Sequence, residues 1–204
     1  MKNQTRHQQT LKMVQIALMA AIVVVIQLFF ASVKIGPVTI SFSLVPLVLS
    51  GVIIGPVGGL IVGAISGIVT FIQVLTSADP FYVFLMANNP VATAAICILK
   101  TTIAGWLSGL VYHAMKKITH KPAVSTILPA IICPTVNTGL FCLGMLVFFT
   151  NAFQADANYA AVSENIIYFV FIGLAGINFI FEVISTVVIT PIVSKALFST
   201  KAFK

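Results

Sequence analysis

From Ile35 to Ala78 no residue carries a formal charge, and the same holds from Met13 to Val33, from Pro80 to Leu99 and from Pro122 to Ala155. A chain folding in water must cover its core with charged and polar side chains, about 25% of a typical soluble domain being charged. Here only 7% are charged and 59% are hydrophobic. The apolar surface that remains has to be solvated by lipid. The sequence therefore predicts an all-α, polytopic membrane protein, a single integral domain over residues 1–204.

A helix needs roughly 20 apolar residues to cross about 30 Å of hydrocarbon. On that measure the first span runs from about Met13 to Ala31, after a short cytoplasmic segment of about residues 1–12. A second and third share Leu44 to Leu75 and divide at Gly55-Pro56. The fourth runs from about Val91 to Met115, the fifth from about Ile127 to Phe149, and the sixth from about Ile166 to Leu197. The second is short and the sixth long enough to tilt. Six spans is the expectation, with five the alternative count. Lys2, Arg6 and Lys12 before an apolar run resemble a signal peptide, but the run is nearly long enough to span and ends without a small-residue cleavage site, so an uncleaved first helix is expected.

Charge placement predicts the sidedness. With the amino terminus inside, Lys2, Arg6, Lys12, Lys116, Lys117, Lys121, Lys195, Lys201 and Lys204 all fall on the cytoplasmic side, nine of the 11 basic residues. Lys34 and the acids Asp79, Asp156 and Glu164 fall outside. Basic residues are retained on the cytoplasmic side, so both termini are expected there, in a multi-pass protein of the cell membrane. The formal net charge of +7 is then topogenic rather than a sign of nucleic-acid binding. Cys97, Cys133 and Cys142 lie in apolar runs without metal-ligand spacing and read as small buried hydrophobes. No metal, cofactor or catalytic residue is indicated. Nucleotide-binding and hydrolase motifs are absent, so energy would come from other chains.

The outer connections are apolar. Ser32–Ser43 carries an alternating Val38-Thr39-Ile40-Ser41-Phe42 fit for a short extended flap. Thr76–Pro90 carries Phe81, Tyr82 and Phe84, then Asn88-Asn89-Pro90. Such segments either rest at the lipid interface or fold over a site. Gly51, Gly55, Gly59, Gly63 and Gly67 recur at four-residue spacing, which lets helix backbones approach closely, and Gly105 and Gly109 repeat the pattern. Ala17 and Ala21 form a similar pair, serving either internal packing or docking of a separate membrane subunit.

Ionisable groups inside a membrane are costly and usually face a cavity or a partner. Lys100 falls near mid-bilayer in the fourth span and Glu182 in the middle of the sixth. Gln73, Asn137 and Asn178 add amides, and Pro134 removes a helical hydrogen bond and frees the carbonyl near Ala130. Two readings stand side by side. In one, Lys100 and Glu182 form an ion pair with the amides as interhelical glue; in the other, Lys100 meets a substrate carboxylate while Asn137, Asn178, Gln73, Tyr168, Tyr82, Asn88 and Asn89 satisfy its polar groups.

The Ala17–Ala21 pair, the segment Ser43-Leu-Val-Pro-Leu-Val-Leu-Ser-Gly-Val-Ile-Ile-Gly-Pro-Val-Gly-Gly, the long outer loops and the six-span length together resemble the substrate-binding S components of energy-coupling factor (ECF) vitamin transporters, over nearly the whole chain. The resemblance implies capture of one water-soluble vitamin from outside, beneath the first and third loops. It also implies docking through Ala17 and Ala21 onto a transmembrane coupling subunit with two ATPases. A single cation with amides suits pantothenate, and Pro134–Gly139 looks like the pantothenate or folate branches. Folate, riboflavin, biotin and cobalamin are the alternative ligands. A self-sufficient small carrier or channel, and a membrane assembly factor, are the competing classes.

Overall fold

The computed structural model describes residues 2–30, 34–35, 38–39, 41–156, 159 and 165–199. Ala31, Ser32, Gly36, Pro37 and Ile40 around the expected flap, and Glu164, Lys201 and Lys204 of the charge pattern, lie outside the described residues.

The first helix, α1, spans Lys2–Phe30 and continues through the segment expected to precede the membrane. Lys34–Ile35 (β1) and Val38–Thr39 (β2) pair antiparallel, Lys34 opposite Thr39. The helices α2 (Leu44–Ile53), α3 (Pro56–Thr76), α4 (Pro80–Asn88) and α5 (Pro90–Thr119) follow. After a short 3-10 turn at Val124–Thr126 come α6 (Ile127–Phe148) and α7 (Thr150–Ala155). The last long helix joins α8 (Ile166–Tyr168) to α9 (Gly176–Ser199) through a π-helical segment, Phe169–Leu174.

Among the described residues five helices are long and apolar enough to cross a membrane: Gln9–Phe30, Pro56–Thr76, Pro90–Thr119, Val124–Phe148 and Ile166–Ser199. The stretch expected to hold the second span supplies only the 10 residues of α2. At 1.5 Å per residue that helix is about 15 Å long, half a bilayer. It never depends on lipid contact, for it packs against α1, α3, α5, α6 and α9, and Leu44 to Val52 are all buried.

Two features of the backbone make that enclosure possible. Gly55 adopts φ 106°, a left-handed conformation that costs glycine little, and turns the chain tightly into Pro56 at the start of α3. The four-residue glycine stripe then brings α2, α3 and α5 together. A Cβ at Gly51 would lie 2.8 Å from Ser108 Oγ, one at Gly67 would lie 2.6 Å from Ile98 Cα, and one at Gly59 would strike the Gly105 carbonyl. Thr101 Oγ1 donates to Gly63 O across the same seam at 2.8 Å. Without a hydrophobic force between helices in lipid, such close approach and polar bonding are what hold them.

Pro134 lies inside α6, and Thr186 Oγ1 of α9 donates to Ala130 O at 2.7 Å. The carbonyl expected to be freed by the proline thus finds its partner on another helix. Near α4 and α7 an aromatic group gathers: Phe84 stacks on Phe153 at 5.0 Å and meets Tyr159 at 4.8 Å, and Phe153 meets Phe169 edge-on at 5.6 Å. Burial, with help from Asp156 and Asp79, raises the pKa of Tyr159 above its ordinary value. Within the outer connection expected at Thr76–Pro90, α4 is a capped helix, Asp79 Oδ1 accepting from Phe81 N at 2.9 Å with Pro80 in the first turn.

Candidate functional site

Between α1, α3, α5, α6 and α9 lies a cavity with about 940 Å³ of empty space, its open mouth included. Its apolar walls come from Ile26 and Phe30 of α1, Val74 of α3, Leu85 of α4, Ile96 and Cys97 of α5, Phe141 and Met145 of α6, and Leu174 and Ala175. Its polar groups are few and converge: Gln27, Thr70, Gln73, Lys100, Asn137, Thr138, Asn178 and Glu182, with Tyr82 from α4 and Ser41 and Ser43 from the stretch before α2.

Five residues read from the sequence as site candidates therefore meet in one place: Lys100, Asn137, Asn178, Gln73 and Tyr82. Three others are placed elsewhere. Asn89 Oδ1 accepts from Ala92 N at 3.0 Å and caps α5, while Asn88 Nδ2 donates to Phe84 O at 2.9 Å. Tyr168 is 67% exposed. The π-helical segment after it turns Val170 and Leu174 inward, and Tyr168 is left with Ile167 on the outer face. Asn88, Asn89 and Tyr168 do not line the cavity.

Lys100 and Glu182 share the cavity, but the close contacts of each are with other groups. Glu182, buried at mid-helix, accepts from Ser41 N through Oε1 at 3.3 Å and from Thr138 Oγ1 through Oε2 at 3.1 Å. Lys100 Nζ lies 5.0 Å over the ring of Phe141. A cation at that distance is attracted by the ring quadrupole without being neutralised. Of the two readings, these close contacts fit a cation and a carboxylate that line one cavity better than a direct ion pair.

The Ser41–Glu182 bond also explains the short α2. Backbone outside a helix or sheet survives at membrane depth only where it is buried in protein or lines a cavity. Ser41 lines the cavity, half-buried, its N–H bonded to the middle of α9.

Gln27 was missed by the sequence reading, although an amide inside the apolar first span was the available signal. Its Nε2 donates to Ser66 Oγ at 2.8 Å and Thr70 Oγ1 at 3.1 Å, and Gln73 Nε2 returns a bond to Gln27 O at 3.0 Å. Gln27 Oε1 and Asn137 Oδ1 are buried acceptors with no hydrogen-bond partner. Thr138 and Thr70 were missed for a different reason, because hydroxyls inside helices usually bond their own backbone and carry no signal.

Among the described residues no group of three or more His, Cys, Asp or Glu could hold a metal ion. The cavity offers hydrogen bonds, one cation and one carboxylate, which suffices to hold a solute. At the α1 surface Ala17 and Ala21 are exposed, while Met19, Ala20 and Val23 turn inward. The pair does not serve packing within the chain.

A family model described as ECF transporter, substrate-specific component, matches residues 11–194. The chain belongs to that family. It is thus a multi-pass membrane protein and a transporter subunit, not an enzyme, and membership implies a small-molecule substrate with separate coupling and ATPase partners. No curated protein matches the chain.

Proposed function

We propose that the chain captures a small water-soluble vitamin from outside the cell and delivers it inward through a coupling subunit driven by two ATPases. Lys100 carries this reading. A mid-span lysine that lies over a ring and lines the cavity can offer its charge to an anionic group of a bound solute. Pantothenate suits that site best, with one carboxylate for Lys100 and hydroxyl and amide groups for Asn137, Asn178, Gln73 and Tyr82. Folate, riboflavin, biotin and cobalamin are the alternatives.

In this reading α2 and the stretch before it together make the sixth crossing, and both termini are cytoplasmic, as the placement of Lys12, Lys116, Lys117 and Lys121 favours. The segment carrying β1 and β2, together with α4, then covers the cavity from outside. The exposed Ala17–Ala21 face of α1 docks the coupling subunit. Native mass spectrometry of the gently purified chain tests the capture role. A bound mass matching a vitamin is expected, and an empty chain that also fails to bind a panel of vitamins would overturn it.

A further inference from the structure

A second hollow lies apart from the cavity, at the end of the molecule where Lys116 and Lys117 close α5, and the two share no lining residue. It holds about 720 Å³ of empty space, its open side included. Lys12 and Ile16 of α1, residues 54–58 at the turn between α2 and α3, and His113 of α5 form its walls. The apolar spans of α1 and α3 begin at Gln9 and Pro56. Lys12 and the turn therefore sit together at one boundary of the hydrocarbon.

The walls are divided in chemistry. Ile16 and Ile54 are half-buried and Val57 is 68% exposed, while Lys12 and His113 are exposed polar groups beside them. Among the described residues no carboxylate answers Lys12: Asp79 caps α4, Asp156 follows α7, and Glu182 lies in the middle of α9. His113 Nδ1 lies 3.1 Å from Gly109 O, and because a carbonyl only accepts, Nδ1 holds the proton of that bond. Nε2 is then the nitrogen left for another partner, and in the neutral ring it accepts. A Cβ at Gly55 would lie 4.0 Å from it, so this edge of the ring faces the turn.

A cation and an acceptor next to an apolar wall, at the edge of the bilayer, complement a molecule that joins phosphate, hydroxyl and hydrocarbon. Basic pockets between membrane helices take anionic headgroups in this way. We propose that the groove binds one anionic phospholipid, its phosphate at Lys12, a headgroup hydroxyl at His113 Nε2 and an acyl chain against Ile16, Ile54 and Val57.

Native mass spectrometry of the full-length chain tests this, after the chain is stripped of lipid in detergent and titrated with phosphatidylglycerol or phosphatidylcholine. One phosphatidylglycerol should bind at least fivefold more tightly than phosphatidylcholine, and glycerol phosphate at equal concentration should not displace it. Lys12→Ala should erase the preference. Val57→Glu, which brings a negative charge to an exposed position in the groove, should do the same and decides the matter if Lys12→Ala does not fold. Lys117→Ala, at the same end but outside the groove, should bind as wild type does. Equal binding of the two lipids by wild type, or an unchanged preference in either groove variant, overturns the proposal. So does an equal loss in Lys117→Ala, which would show a diffuse basic surface, or displacement by glycerol phosphate, which would assign the groove to a soluble phosphate.

Discussion

Thr186 of α9 donates its hydroxyl to the carbonyl of Ala130 on α6, 2.7 Å away, and Pro134 is the residue whose missing N–H leaves that carbonyl open. A local defect in one helix has become a bond between two. The same hydroxyl also contacts Glu182 O, one turn back on its own helix, at 2.8 Å. The α6–α9 contact is thereby fixed one helical turn from Glu182.

Thr186→Val should therefore destabilise the fold by about 1 kcal/mol, the ordinary net value of such a bond. Pro134→Ala restores the N–H that Ala130 O would use within α6. In that background Thr186→Val should cost clearly less, as a double-mutant cycle of unfolding in detergent would reveal. Equal costs in both backgrounds would mean that the threonine does not answer the proline.

Lys100→Ala should weaken binding of a monocarboxylate vitamin about 10- to 100-fold, as expected for losing a charged hydrogen bond. Stability should change little, because the ammonium contacts a ring rather than a carboxylate. Calorimetry with a thermal melt checks both. Unchanged affinity with a large fall in stability would restore the ion-pair reading.

Ala17→Trp or Ala21→Trp should leave vitamin affinity within about twofold, since both positions are exposed and outside the cavity. Co-purification with the coupling subunit should be lost. Loss of vitamin binding with an intact complex would show that the docking face lies elsewhere.

Gly59→Val should cost at least about 1–3 kcal/mol, because its Cβ would strike the Gly105 carbonyl and backbone cannot rotate out of the way. Gly139→Ala meets nothing within 4 Å and should be neutral or stabilising by up to about 1 kcal/mol. The pair of melts separates the packing glycines from an incidental one.

The helical spans were legible because the bilayer imposes a length and a polarity on each, and the gaps between charges reveal both. The glycine seam was legible because four-residue spacing is itself a geometric statement. So was the carbonyl at Ala130, since a proline's effect falls at a fixed offset. Lys100, Asn137, Asn178 and Gln73 could be picked out by the cost of placing them in lipid. What the sequence hides is which neighbour a polar group meets. Asn88 and Asn89 look like ligand contacts until helix ends on either side of Pro90 claim them. Tyr168 looks inward-facing until a π-helical segment resets the face of its helix. Ser41 declares nothing, because its contribution is a backbone N–H that every residue but proline carries.

The half-length α2 has a consequence for how the protein is made. A segment of 10 residues is too short to partition into a bilayer by itself, however apolar, so it is not inserted as an independent span when it is synthesised. Its seat depends on helices that follow it: Gly51 needs Ser108 and Gly109 of α5, and the preceding Ser41 needs Glu182 of α9. The seating of α2 is thus completed late and from the far end of the chain, and a truncation before α9 would leave Ser41, just before α2, without its partner.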